Sequence, residues 1–190
     1  VNVELRAEPI GGFKAALYKD WDGVTNAHEP PHGDTAFFEV EILDHSYLLN
    51  PSKITYSPSV VAFIDRLRRQ YGLELVWSTT WNLNNTVLLL PELLGGLAGG
   101  RVLPIKLNEA ATSKKEWTQW KAEAIVEDQR LNPRPFVWLD DNAHAYWSDY
   151  VKEHTVAPSI FVTPVSQTGL TLADLESIEA FLSSSEVTNF

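Results

Sequence analysis

The sequence predicts an α/β protein: a doubly wound, mainly parallel sheet with helices on both faces. Two observations carry this. Short apolar runs of strand length alternate with longer stretches of helical period. Three of those runs also end abruptly in polar clusters: FKAALYK in Asp20 and Asp22, LELVW in Ser78 and Thr79, and PFVWL in Asp140 and Asp141. Ligands of such sheets lie outside the carboxyl ends of the strands, so the three clusters are predicted to share one rim.

The elements follow in order. FKAALYK (Phe13–Lys19) reads as a buried strand. TNAHEPPHGD (25–34) is loop, crowded with Pro, Gly, Asn and Asp. TAFFEVEIL (Thr35–Leu43) has β-formers in partial alternation, and with DHSYLLN it reads as a β-hairpin turning near Asp44–His45. Ser57 followed by Pro58 opens a helix that runs to about Tyr71 and stops at Gly72. Its apolar face is Val60, Val61, Phe63, Ile64 and Leu67. LELVW (Leu73–Trp77) is a second buried strand. Asn82–Leu94 is predicted as helix interrupted at Pro91, and RVLPI as a short strand. Lys114–Glu127 is helical with Trp117, Trp120, Ala124 and Ile125 on its apolar side. PFVWL (Pro135–Leu139) and SIFVT (Ser159–Thr163) are the last strands, and Thr171 with Asp174 caps a final helix, Leu172–Leu182.

Composition bounds the function. The chain has 190 residues, 44% of them apolar, which is enough for a sizeable core in one domain. Residues 1–190 are read as a single domain, with a core at about 13–182 and a hairpin flap at about 35–50. No apolar run reaches the roughly 18 residues of a membrane span, so no membrane partner is expected. VNVELRAEPIGG lacks the basic start and apolar core of a signal peptide, and a cytoplasmic location is expected. Methionine is absent, so the sequence is read as starting after any initiator residue. Cysteine is absent, which excludes disulfides, thiolate metal sites and cysteine nucleophiles. The net charge of −10 argues against strong binding to nucleic acid.

The rim chemistry narrows further. Carboxylates held close together must be neutralised or protonated. A hard divalent cation with oxygen ligands does this, and Mg²⁺ is the usual choice beside phosphate. A carboxylate can also attack phosphorus, and a second carboxyl two residues on, on the same side of an extended chain, can exchange protons with the leaving oxygen and with water. A hydroxyl and a lysine would offset charge on the phosphoryl group.

These features together resemble the haloacid-dehalogenase-like (HAD) phosphohydrolases, which have a Rossmann-like sheet. The first family motif, Asp-x-Asp-Gly-(Thr/Val), is matched by Asp20-Trp21-Asp22-Gly23-Val24; the second by LVWSTTW; the fourth by VWLDD ending in Asp140 and Asp141. WSTTW, WKAEAIVED, RPFVWLDD and the late GLT are similar to the HAD domains of actinobacteria and their phages, some of which accompany RNA-repair enzymes. The resemblance implies Asp20 as nucleophile and Asp22 as general acid/base, with the Asp22 carbonyl, Asp20, Asp140 and Asp141 around Mg²⁺. It implies Thr79 as phosphoryl ligand, with Ser78 as the competing choice, and Lys121 as the third-motif lysine, with Lys114 and Lys115 as runners-up. The substrate implied is a phosphorylated small molecule or a nucleic-acid end. About fifty residues separate the first two motifs, room for a small β-hairpin flap in place of a large cap. A non-catalytic nucleic-acid-binding or regulatory domain is the alternative.

Lys19 departs from the family pattern, which has an apolar residue there; it would face solvent or lie near the phosphate. His28-Glu29-Pro30-Pro31-His32 spells the zinc-protease H-E-x-x-H, but two prolines forbid the helix that motif needs. GGLAGG (Gly95–Gly100) has no Lys-Ser/Thr after it and reads as a flexible connection. Arg66, Arg68 and Arg69 read as a solvated helix face. Most of the seven tryptophans are expected in the core, while Trp21 and Trp81 flank candidate site positions.

Overall fold

A computed structural model describes residues 12–29, 34–43, 49–81, 90–106 and 110–190. The elements in the first half are β1 (Ala15–Lys19), β2 (Ala36–Leu43), β3 (Leu49–Tyr56), α1 (Pro58–Tyr71), β4 (Leu73–Trp77), α2 (Leu90–Leu94) and β5 (Arg101–Val102). The second half supplies α3 (Lys114–Leu131), β6 (Phe136–Leu139), α4 (His144–His154), β7 (Ser159–Val162), α5 (Leu172–Leu182) and α6 (Ser185–Thr188). Five strands form one sheet in the order β5-β4-β1-β6-β7, and every pairing is parallel.

Side chains alternate across this sheet with the strand period of two. Ala15 and Leu17 join Val60, Ile64 and Leu67 of α1 and Leu175 and Ile178 of α5 in one core layer. Ala16 and Tyr18 join Trp120 and Ile125 of α3 and Val151 of α4 in the other. The doubly wound α/β architecture is therefore as the sequence predicts. The chain leaves β1 for β4 on one side and later returns to β6 on its other side, so strand order reverses at β1. A crevice is expected at such a point, beyond the carboxyl ends.

The helix boundaries have local causes. Ser57 accepts the Val60 N–H at 3.4 Å, Pro58 needs no donor in the first turn, and Gly72 closes α1 at φ 64°. Ser113 with Glu116, and Thr171 with Asp174, form reciprocal capping boxes for α3 and α5. Helix α4 was not expected from the sequence. It has no side-chain cap of its own; instead the Asp140 carboxylate accepts the backbone N–H of Asn142 and Ala143 at its start.

Other expectations need correction. The predicted turn at Asp44–His45 lies outside the described residues, but β2 and β3 pair antiparallel from Ala36↔Tyr56 to Leu43↔Leu49, so the flap extends six residues beyond 50. Pro51 is tolerated there because both strands of a two-stranded ribbon are edges. Residues 82–89 of the predicted second helix also lie outside the described residues; α2, which contains Pro91, is the part of it that is described. The RVLPI strand shrinks to Arg101–Val102, and α3 runs a turn further than predicted. Trp117 is 39% exposed where a core position was expected, whereas Trp120 is buried. The glycine-rich stretch is packed: Leu97 is fully buried and its N–H donates to Asp65 at 2.9 Å. Two of the three α1 arginines are paired, Arg66 with Glu179 and Arg68 with Asp65. No helix among the described residues is long and apolar enough to cross a membrane.

Candidate active site

Strands β1 and β6 are neighbours, so the residues after them meet. The Asp20 N–H donates to the Leu139 carbonyl at 2.8 Å, which carries the β1–β6 pairing one residue into the first motif. The Trp21 N–H then donates to Asp20 Oδ1 at 2.7 Å and fixes the carboxylate. Lys121, projecting from α3, donates to Asp20 Oδ2 at 2.5 Å and to Asp140 Oδ2 at 2.6 Å. The other Asp140 oxygen accepts the Asn142 and Ala143 N–H groups at 2.9 and 2.6 Å. Asp20, Asp140 and Lys121 are all buried.

Burial pushes the Asp20 carboxyl up to about 7, against the pull of Lys121 and with help from the charge of Asp140. Burial acts on Asp140 in the same sense, but Lys121 and the two backbone donors outweigh it and hold that carboxyl below the usual range. Burial disfavours the Lys121 ammonium, yet the two carboxylates hold it above an ordinary lysine. The triad thus holds one firmly ionised carboxylate, one firm cation and one carboxyl near its titration point. Asp141 completes the acidic group: Asp20, Asp140 and Asp141 each offer an oxygen within 4.8 Å of the others. Ser166 Oγ donates to Asp141. Gly23, at φ 67°, lies so close that a Cβ there would run into the Asp141 carboxylate. The motif therefore needs glycine at this position on two grounds.

Asp22 lies apart from this group and is exposed. Both its oxygens accept hydrogen bonds, from Asn26 Nδ2 at 2.7 Å and from the Trp81 indole at 2.8 Å. Ser78 and Thr79 follow β4, the strand on the other side of β1, and both are buried. Ser78 is tied to the rim by its N–H, which donates to the Lys19 carbonyl at 2.9 Å. Its hydroxyl has no partner among the described residues, while Thr79 Oγ1 accepts the Trp81 N–H at 3.4 Å. Lys114 and Lys115 are directed elsewhere, to Asn142 and to the Trp147 ring.

Lys19 does not face solvent; it is fully buried. Its ammonium donates to the Asp20 carbonyl at 2.8 Å and lies 5.3 and 5.1 Å from the ring centroids of Trp21 and Trp77. Burial pushes it down to about 7, against the pull of Asp20 and Asp22. Trp21 is a core residue, edge-on to both Trp77 and Trp81.

In front of Asp22 and Asp141 opens a cleft of about 630 Å³, walled by Lys53 and Thr55 of the flap and by Asn26, His28, Ser166 and Gln167 of two loops. Sequence reasoning missed Asn26, Ser166 and Lys53. Asn26 carried a signal in its place four residues after Asp22; Ser166 and Lys53 carried none, because they reach the cleft only through tertiary structure.

Over residues 16–175 the sequence matches the family described as "HAD domain in Swiss Army Knife RNA repair proteins". No curated protein matches the chain. The match spans most of the 190 residues, and the chain belongs to that family.

Proposed function

We propose that this HAD-family chain is a metal-dependent phosphomonoesterase acting through an aspartyl phosphate on Asp20, with a nucleotide or nucleic-acid end as substrate. Residues 13–182 with their flap would act as one domain. The observation that carries the reading is the pair of buried carboxylates, Asp20 and Asp140, sharing one lysine at the strand-order reversal. The substrate class follows from the family's description as a domain of RNA repair proteins.

The site fits a divalent cation. Three carboxylates converge, all its donors are hard oxygens, and among the described residues the four rim carboxylates outnumber the ammonium groups of Lys19 and Lys121 beside them. Asp20, Asp140, Asp141 and the Asp22 carbonyl would hold Mg²⁺, which when bound offsets charge on the phosphoryl oxygens.

The remaining chemistry belongs to the chain. Asp20, ionised, forms a bond from its oxygen to phosphorus as the bond from phosphorus to the leaving oxygen breaks. Asp22, protonated, gives its proton to that oxygen. As a carboxylate it then takes a proton from water, the water oxygen attacks phosphorus, and Asp20 leaves with inorganic phosphate released. The Asn26 and Trp81 donors hold the Asp22 side chain in one orientation. Lys121 offsets charge at Asp20, and the hydroxyls of Thr79 and Ser78 are the candidate ligands of the non-bridging oxygens. The test is phosphate release from an aryl phosphate and from 3′- and 5′-phosphorylated oligoribonucleotides. Release that vanishes in Asp20→Asn and under chelation is expected. Tight, salt-sensitive oligonucleotide binding with no release from any substrate would favour a binding domain instead.

A further inference from the structure

The flap has two unlike faces. Ile54 and Tyr56 are buried in the core with Phe38 packed against it. Strand register sets Phe37 opposite Thr55 and Glu39 opposite Lys53, so these four share the other face. That face turns to the candidate site, because Lys53 and Thr55 line the same cleft as Asp22 and Asp141. Phe37 stands beside them 64% exposed, with the Lys53 ammonium 4.3 Å from its ring centroid. The ring contributes little to the core, and the cation is held at the mouth of an otherwise acidic cleft.

We infer that this face of the flap recognises the terminal nucleotide of the substrate: the base stacks on the open side of Phe37, and Lys53 meets the phosphate that links it to the next nucleotide. This rests on the phosphomonoesterase reading for the position of the scissile phosphate. An aromatic ring accepts any base, since every base has a π-face. A lysine beside it supplies the positive charge that an anionic substrate needs to approach the carboxylates of the rim. Glu39, opposite Lys53, leaves the four-residue face without net charge, and the chain carries −10 overall. The surface therefore suits an end and offers no track for a long polyanion.

The experiment uses the full chain carrying Asp20→Asn, with Mg²⁺, and fluorescence anisotropy on phosphorylated oligoribonucleotides of two, four and eight nucleotides. Phe37→Ala is expected to weaken binding by about tenfold. Lys53→Gln should weaken it severalfold and flatten its salt dependence. Affinity should not grow with length beyond two nucleotides. In the chain with Asp20 intact, the loss of kcat/KM caused by Phe37→Ala should be about tenfold greater on the dinucleotide than on glycerol phosphate, which has no ring. Equal losses on both, unaltered RNA affinity in Phe37→Ala, or affinity that climbs with length would each overturn the inference. A wild-type chain inert toward every phosphomonoester would sink the hydrolase reading, while the anisotropy comparison would still decide the role of the flap.

Discussion

Two clusters of charge lie on the same sheet, and they are built differently. Toward the amino ends of the strands, Glu74 and Asp128 meet Arg101 and Arg134: Arg101 bonds both acids at 2.7 Å, and Arg134 bonds Glu74 closely and Asp128 at 3.3 Å. Tyr18 donates to Asp128 and accepts from Gln129. Two acids face two guanidinium groups. At the carboxyl ends, Asp20, Asp22, Asp140 and Asp141 outnumber Lys19 and Lys121 on the rim and Lys53 at the mouth of the cleft, and Ser78 keeps a buried hydroxyl with no partner among the described residues. The first cluster is balanced by groups within the fold. The second is short of positive charge. Buried charge is ordinarily paired, so the deficit is one that a bound cation would offset.

The largest effect should come from the unbalanced cluster. Asp20→Asn is expected to lower aryl phosphate turnover by about ten-thousandfold or more, since in the proposed mechanism it replaces the attacking carboxylate by a non-nucleophilic amide of the same shape. Phosphate release measured beside circular dichroism checks this; full turnover in the substituted chain would end the mechanism. EDTA should abolish release, and added Mg²⁺ should restore it.

The balanced cluster should fail in the opposite way. Glu74→Gln leaves Arg134 with only its longer bond to Asp128 in a buried setting, and breaking such a pair costs about 3–5 kcal/mol. Chemical denaturation should show that loss, while kcat/KM of the folded fraction stays within about twofold because Glu74 lies away from the rim. A large fall in kcat/KM with stability intact would erase the distinction between the clusters.

Lys121→Met would sharpen the contrast from within the site. It should lower kcat by about a hundredfold through lost charge stabilisation at Asp20. It also leaves two neighbouring carboxylates without their cation. One of them then holds a proton more tightly, so the metal-free variant should lose more stability, relative to wild type, at pH 8 than at pH 5. Melting curves in EDTA at the two pH values test this, and equal losses would argue against a shared lysine.

The unbalanced cluster was readable because each of its members ends an apolar run. Asp20, Ser78 and Asp140 break strands abruptly, and that break survives in one dimension. Their adjacency did not: that β1 lies between β4 and β6 is a matter of topology. Lys121 was chosen over Lys114 and Lys115 by resemblance alone, and only its bonds to Asp20 and Asp140 set it apart. Helix α4 escaped notice because its first N–H groups are capped by Asp140, a residue already spoken for as a strand end. The balanced cluster was invisible. Glu74 and Arg134 are sixty residues apart, and the one clue, a glutamate inside LELVW, does not name its partner. The flap was legible as a hairpin from its β-formers, but its second arm contains Pro51 and so was read short.

Lys19 belongs to the unbalanced cluster and separates stability from function within it. An unfolded lysine holds its proton up to about 10.5, whereas this one, by burial, gives it up at about 7. Between those values the unfolded chain binds more protons, so the contribution of Lys19 to stability rises with pH across that window. Below pH 7 the cost of burying its charge is at its full size. Lys19→Met removes that cost but leaves the Asp20 carbonyl without its donor, so the net gain at pH 7 should be only about 1–2 kcal/mol. The gain should shrink as pH rises and turn into a loss before pH 10.5, where the neutral amine costs little to bury and the variant's Asp20 carbonyl still lacks its donor. Denaturation of the wild type and the variant in EDTA at pH 7, 8.5 and 10 measures it. A difference that does not change with pH would mean that the two tryptophan rings keep Lys19 charged, and the rim would then be less short of positive charge at alkaline pH than its burial implies.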